Sequence, residues 1–222
     1  MAEHRLPGDI ERSSMAIIRQ EIKDRGVALE EQNAPVILRV IHATADFEYL
    51  ETLTFSPDAV RLATGALAKG TPIVTDTNMA LSGVSRPGLC KLGGEAFCFM
   101  ADPAIAQKAK RDSTTRAAAA MRHASETLPG AILAVGNAPT ALFQIAEEIE
   151  AGLRPALVVA VPVGFVNVVE SKERIVSVCR AHDVPVIAAM GRKGGSSVAA
   201  TILNALIYSA ADLLDPAARG WN

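Results

Sequence analysis

Short runs of apolar residues recur along the chain without polar alternation, and a loop and a segment with helical spacing follow each of them. The runs lie at 72–75, 95–100, 131–135, 156–161 and 184–189. Strands without alternation are typical of a sheet buried on both faces, and a repeated strand-loop-helix order is typical of parallel strands. The pattern therefore predicts a three-layer α/β fold with a doubly wound, mostly parallel sheet. We expect residues 1–222 to form one domain.

The first half of the chain has a different pattern. Asp9 is a suitable cap for a helix that runs to about residue 25, and Pro35 suits the first turn of a second helix. Residues 47–55 alternate between apolar and polar side chains, which predicts a strand. Residues 102–127 predict a long Ala-rich helical stretch with a break near 112–113.

In a doubly wound sheet, ligands bind beyond the carboxyl ends of the strands. This rule selects the loops at 76–78, 136–140, 162–167 and 191–197. The glycine-rich turn before Ser196 lets the backbone approach a ligand closely, and Arg192 and Lys193 would attract an anion there. An ordinary tight turn between a strand and a helix explains the same residues, so both interpretations stay open.

Composition limits the classes of function. Lys and Arg number 22 against 24 Asp and Glu, a net charge of −2, which argues against a general nucleic-acid binder. No apolar run approaches the ~20 residues of a membrane-spanning helix, and the N-terminus has no apolar signal region. The 3 cysteines form no CxxC pair, which predicts a reducing cytoplasm without disulfides or structural zinc.

Motifs with known chemistry are scarce in this sequence. It holds no Walker loop, no GxGxxG, no GxSxG and no HExxH. His42 is the most distinctive histidine, because it follows a very apolar stretch and lies three residues after Arg39 on the same helical face. A structural histidine and a catalytic one both fit this position. The residues alone thus indicate a cytoplasmic α/β protein with an anion-favouring rim.

Eight short segments, taken together and in order, resemble the precorrin-8X methylmutase family of cobalamin biosynthesis. Each segment is weak alone, but the ordered set is specific and covers roughly residues 9–210. The segments are Ser14–Arg19, Arg39–Thr44, Phe55–Pro57, Thr75–Met79, Thr115–Arg116, Gly136–Phe143, Pro162–Lys172 and Gly191–Ser196.

The resemblance implies a flavodoxin-like fold and an isomerase that moves a methyl group from ring carbon 11 to ring carbon 12 of precorrin-8X, giving hydrogenobyrinate. It implies no cofactor, no catalytic metal, and a homodimer with the site near the interface. Hand-over of product to the next pathway enzyme is a further expectation. Metal-free and cobalt-containing substrates both fit the motifs.

The resemblance also implies roles for individual residues. The family's catalytic histidine falls on His42, and its substrate-contacting serine and arginines fall on Ser14, Arg39 and Arg116. Basic, amide and hydroxyl groups suit the carboxylates of a corrin macrocycle. The remaining predicted substrate contacts lie on the strand-end loops, at Thr77, Asn137, Arg192, Lys193 and Ser196.

Two other functions remain candidates. A non-catalytic corrinoid carrier would need the same pocket as the enzyme, so the sequence separates the two poorly. A nucleotide-dependent α/β enzyme would bind at the same strand ends. It would need a glycine fingerprint and a ribose-binding acid, and neither pattern is present.

Overall fold

A computed structural model describes residues 6–221. Its strands are β1 Leu53–Phe55, β2 Ile73–Thr75, β3 Ala96–Phe97, β4 Ile132–Val135, β5 Leu157–Ala160 and β6 Val186–Ala189. Its longer helices are α1 Pro7–Asp24, α2 Ala34–Thr44, α4 Ala59–Leu67, α7 Pro103–Arg111, α8 Arg116–Thr127, α9 Pro139–Glu150, α10 Val168–Ala181 and α11 Ser196–Ala210. Shorter helices are α3 Tyr49–Thr52, α5 Asn78–Gly83 and α6 Arg86–Lys91, and a 3-10 turn spans Pro216–Arg219.

The six strands form one sheet in the order β1-β6-β5-β4-β2-β3. All neighbours from β6 to β3 are parallel, whereas β1 pairs with β6 in the antiparallel direction. Numbered among themselves, the five parallel strands follow the order 2-1-3-4-5, which is the flavodoxin-like order. The predicted doubly wound, mostly parallel α/β fold is therefore confirmed.

Two apolar cores lie on the two faces of the sheet. One core is formed with α2, α4 and α11, and it buries Ile41, Leu67 and Leu203. The other is formed with α8, α9 and α10, and it buries Met121 and Ile145. The central strands are buried on both faces, which explains why their sequences are apolar without alternation.

The predicted strand at 47–55 is wrong over most of its length. Asp46 accepts a hydrogen bond from the backbone N–H of Glu48, at 3.0 Å, and a helical turn follows over Tyr49–Thr52. Only Leu53–Phe55 remain to pair with β6. Alternation was misleading here because this short turn buries Tyr49 just as an inward-facing strand position would.

The break predicted in the Ala-rich stretch is confirmed between α7 and α8. Ser113 lies there with a φ of 52°, in the left-handed region that ends helices. Among residues 6–221, no helix is both long and apolar enough to cross a membrane.

Candidate active site

The sheet reverses its strand order between β2 and β4, and Asp76 lies at this point. Its side chain is fully buried at the end of β2. One carboxylate oxygen accepts the N–H of Gly136, and the other accepts the N–H groups of Asn137 and Ala138, all at 2.8 Å. Burial raises the pKa of Asp76, and these amides oppose the shift. The amides that lead into α9 are therefore occupied by the protein's own carboxylate.

Thr77, the next residue, is in contact with the start of α11. Its Oγ1 lies 2.8 Å from the Oγ of Ser196 and also accepts the N–H of Ala80, which caps α5. Gly136 lies against the same helix start, where a Cβ atom would come within 2.7 Å of the Ser196 Cα. The absence of a side chain at Gly136 is what lets the two loops meet.

Lys172 holds the glycine-rich loop that precedes α11. This lysine is fully buried, and its Nζ donates to the carbonyl oxygens of Gly191 and Lys193, both at 2.8 Å. Burial lowers its pKa to about 8. Because both bonds end on backbone carbonyls, Lys172 fixes the course of the loop whatever side chains the loop carries.

Lys193 and Arg192 differ in their surroundings. The Nζ of Lys193 lies 2.5 Å from a carboxylate oxygen of Asp46 and 2.6 Å from one of Glu48. The hydrogen bond to Asp46 is the main cause that raises the pKa of Lys193. Arg192 is exposed, with its guanidinium carbon 5.5 Å from the ring centroid of Phe165. Of the two predicted cations, Arg192 is the one without a carboxylate partner among the described residues.

His42 and Ser14 line one groove between α1 and α2. His42 is exposed near the end of α2, and Ser14 is half-buried on α1. The groove has a volume of about 220 Å³. Its other lining residues are Ile17, Ile18, Glu21, Ile41, Ala45 and Phe47. The predicted catalytic histidine and the predicted substrate-contacting serine thus lie together.

Arg39 lines a different cavity. Its Nη2 donates to a carboxylate oxygen of Glu11 at 2.7 Å, and only 14% of the side chain is exposed. The cavity beside this ion pair measures about 420 Å³ and does not include His42. The structure therefore does not bring Arg39 to the His42 groove, although both residues lie on α2.

Arg116 and Asn137 lie on the side of the molecule that carries α8 and α9. Arg116 is the first residue of α8, is exposed, and makes a long contact of 3.4 Å to the carbonyl oxygen of Met100. Asn137 is exposed as well. Arg116 does not line the groove of His42, and α8 packs on one face of the sheet whereas α2 packs on the other.

Sequence reasoning missed the buried charges that hold these loops. Asp76 and Lys172 were visible only as parts of matched segments, without a role of their own. A charged residue directly after a short and mostly apolar strand, as in Val74-Thr75-Asp76, is a usable signal, because such a position is buried and needs partners. No comparable signal marks Lys172, whose partners are backbone atoms from another segment.

Within residues 6–221, no group of three or more His, Cys, Asp or Glu side chains is placed to hold a metal ion. Cys90 is exposed, Cys98 is half-buried, Cys179 is buried, and each is a free thiol.

Comparison with known proteins gives one consistent result. The family model for precorrin-8X methylmutase matches residues 9–209. The cobalt-precorrin-8 methylmutase of Leptospira interrogans is 42% identical over 207 residues, which cover 91% of this chain and 93% of that protein. The corresponding enzyme of Salmonella typhimurium is 45% identical over 174 residues, covering 78% of this chain and 80% of that protein.

Solved structures agree with the sequence relatives. The crystal structure of precorrin-8X methylmutase from Thermus thermophilus superposes with a TM-score of 0.81 at 41% identity, and it covers 91% of this chain and 98% of that chain. Residues 9–209, which the family model matches, include the His42 groove, the Thr77–Ser196 contact and the loop that Lys172 holds. The chain belongs to the precorrin-8X methylmutase family.

Proposed function

We propose that this chain is an isomerase that moves a methyl group from ring carbon 11 to ring carbon 12 of precorrin-8X and so forms hydrogenobyrinate. The observation that carries the proposal is the family match over residues 9–209. Substrate and product are isomers, because the bond from the methyl group to carbon 11 breaks as its bond to carbon 12 forms. The reaction consumes no oxidant, reductant or second substrate, so we expect no cofactor.

His42 is the residue that we assign to the chemistry. Protonation of the conjugated macrocycle lowers its electron density next to the migrating methyl group. An imidazole is a suitable proton donor near neutral pH, and a positioned donor contributes typically ~10²–10⁴-fold. The exposure of His42 supports this role, because a large planar ring can reach it without any rearrangement of the core. Ser14, in the same groove, is placed to contact the substrate.

The carboxyl edge of the sheet supplies a surface for a planar ring that carries carboxylates. Met79, Val163, Phe165 and Val166 are exposed there, with 83% exposure at Phe165. Apolar side chains of this size suit the ring faces, and Arg192 beside Phe165 suits a peripheral carboxylate. We assign Thr77, Asn137, Lys193 and Ser196 to the same binding surface, with Ser196 at the start of α11.

We propose a homodimer in which each site uses both subunits. The placement of His42 and Arg116 on helices that cover opposite faces of the sheet supports this arrangement. A two-fold axis would bring one surface of each copy against the partner and cover exposed apolar side chains outside the ring-binding surface. We assign Arg39 to substrate binding in this dimer. It either stays paired with Glu11 or exchanges that carboxylate for one of the substrate.

Two expectations about the cell accompany the enzyme. We place the reaction in the cytoplasm, where reduced thiols such as those of Cys90, Cys98 and Cys179 are the norm. We also expect the product to pass to the next enzyme of the pathway.

Incubation with precorrin-8X, followed by absorption spectroscopy, tests the proposal. Complete conversion by substoichiometric protein is the expected result. A spectral shift that saturates at one ligand per chain, without turnover, would identify the corrinoid carrier instead. Calorimetry with NAD, ATP and FMN tests the nucleotide-dependent alternative, and we expect no heat of binding.

Subunit mixing tests the shared site. The variants His42→Ala and Arg116→Ala should each be inactive as homodimers. After mixing and subunit exchange, about half of the dimers are mixed and each has one intact site, so activity should return to about one quarter of wild type. No recovery, with exchange verified, would place both residues in a site made by one subunit.

A further inference from the structure

The segment after α11, Ala211–Trp221, folds back onto the N-terminal helix; we call it the C-terminal tail. It contains the 3-10 turn Pro216–Arg219 and lies beyond the family match, which ends at residue 209. Only 8% of the Arg219 side chain is exposed, although the residue is fourth from the end of the sequence. A burial this deep needs a partner that compensates the charge.

Glu11 on α1 is that partner. One of its carboxylate oxygens accepts Nη2 of Arg219 at 2.5 Å, and the other accepts Nη2 of Arg39 at 2.7 Å. The guanidinium carbons of Arg39 and Arg219 also each lie 4.7 Å from the ring centroid of Tyr208. A single buried carboxylate therefore joins α1, α2 and the C-terminal tail, next to a residue of α11.

The backbones of α1 and the tail also meet directly. A Cβ atom on Gly8 would lie 2.2 Å from the carbonyl oxygen of Trp221, so only glycine fits at this point. Arg219 additionally donates through Nη1 to the carbonyl oxygen of Leu213 at 2.6 Å, which holds the tail in its folded course. The tail and α1 therefore contact each other through closely packed backbone and a buried ion pair, and not through exposed charges alone.

The position of α1 matters for the groove of His42. Among the described elements, α1 packs chiefly against α2 and against the tail's 3-10 turn. Ser14 follows Glu11 by three residues, less than one helical turn, so the anchored carboxylate and the groove-lining hydroxyl move together. Resting on the proposed function, we infer that the C-terminal tail positions the active site, and that Arg219 is the positioning residue that sets Ser14 against His42.

The central experiment compares Arg219→Met with wild type by turnover of precorrin-8X, with circular dichroism as the folding control. We expect kcat/KM to fall about 10-fold or more, since small misplacements of site groups lower rates by up to ~10². Arg219→Lys, which keeps the charge, should recover part of the loss. Arg61→Met is the matched control, because Arg61 is 65% exposed and its ion pair is with Asp58, three residues earlier at the start of α4. This variant should retain full activity.

Gly8→Ala displaces the tail without removing any charge, and we expect it to lower kcat/KM in the same way. Trp221 reports docking directly, because it is the only tryptophan in the chain. Its fluorescence should become more accessible to acrylamide in both Arg219→Met and Gly8→Ala. Undocked tails combined with wild-type kcat/KM would overturn the inference.

A double-mutant cycle separates positioning from general stability. In the Ser14→Ala background, Arg219→Met should change kcat/KM by less than about 2-fold, because the group that it positions is gone. An equal loss in both backgrounds would mean that the tail does not act through Ser14. A wild-type chain without turnover would contradict the proposed function itself, whereas an active wild type with a fully active Arg219→Met variant contradicts only this inference.

Discussion

The hydroxyl oxygens of Thr77 and Ser196 lie 2.8 Å apart, although 119 residues separate them in the chain. Because Ser196 is the first residue of α11 and Thr77 caps α5, this contact fixes two helix starts at one point of the sheet edge. Ser196→Ala should weaken hydrogenobyrinate binding by ~1 kcal/mol, roughly fivefold, with little change in the urea midpoint. Thr77→Val should in addition destabilise the fold by ~1 kcal/mol, since the cap is lost. Unchanged affinity in both variants would exclude this contact from the binding surface.

His42→Ala should lower single-turnover conversion by ~10²–10⁴-fold while the protein stays folded and still binds the macrocycle. The side chain is exposed, so its removal should change the free energy of unfolding by less than about 0.5 kcal/mol. His42→Asn should be equally impaired, because an amide donates a hydrogen bond but does not readily transfer a proton. His182→Asn serves as the histidine control, because His182 lies at the end of α10 and does not line the groove of His42. A near-normal rate in His42→Ala would leave this residue without a catalytic role.

Lys172 should make stability depend on pH in the alkaline range. Its pKa is about 8 in the folded protein and 10.5 in a model peptide, so the unfolded chain binds the proton more tightly. The burial penalty is fully present below pH 8 and disappears as the pH rises towards 10.5. Relative to Lys172→Met, the wild-type free energy of unfolding should rise by ~3 kcal/mol across this interval. Parallel curves for the two proteins would show that the lysine is not held in the buried state.

Asp76→Ala should destabilise the protein by ~3 kcal/mol, because it leaves three backbone amide donors, of which that of Gly136 is buried, without their acceptor. Asp76→Asn retains one acceptor oxygen and should have a smaller effect. Urea denaturation measures both, with Asp58→Asn as the exposed control that should remain within about 0.5 kcal/mol of wild type. Equal stability of Asp76→Ala and wild type would mean that water satisfies these amides.

Glu11→Gln should destabilise the protein by ~3–5 kcal/mol, since it leaves Arg39 and Arg219 as buried cations without a counter-charge. Thermal and urea unfolding should agree on this loss. Glu21→Gln, which breaks an exposed ion pair with Arg25 in the same helix, should remain within about 1 kcal/mol of wild type. A loss no greater than that of Glu21→Gln would mean that solvent compensates the two guanidinium groups.

The parallel core of the fold was predictable, because each central strand is a short apolar run and the carboxyl-end rule places the loops of Thr77 and Ser196 on one edge. The segment around Tyr49 was not, since a buried helical turn and a half-buried strand share the same spacing of apolar residues. Spacing also gave no warning that Glu11 and Arg219 meet, because 208 residues separate them and their pairing depends on how α1 packs.

The edge strand β1 pairs with β6, so an early segment of the chain depends on a strand that is synthesised much later. Ser56 Oγ accepts the N–H of Val186, a partner synthesised 130 residues later. During translation, β1 and the helices before it must therefore wait until β6 has left the ribosome. Such late, non-local pairing slows folding and leaves apolar surface exposed meanwhile. We expect nascent chains that stop before β6 to engage chaperones, whereas chains that extend through the tail should be released.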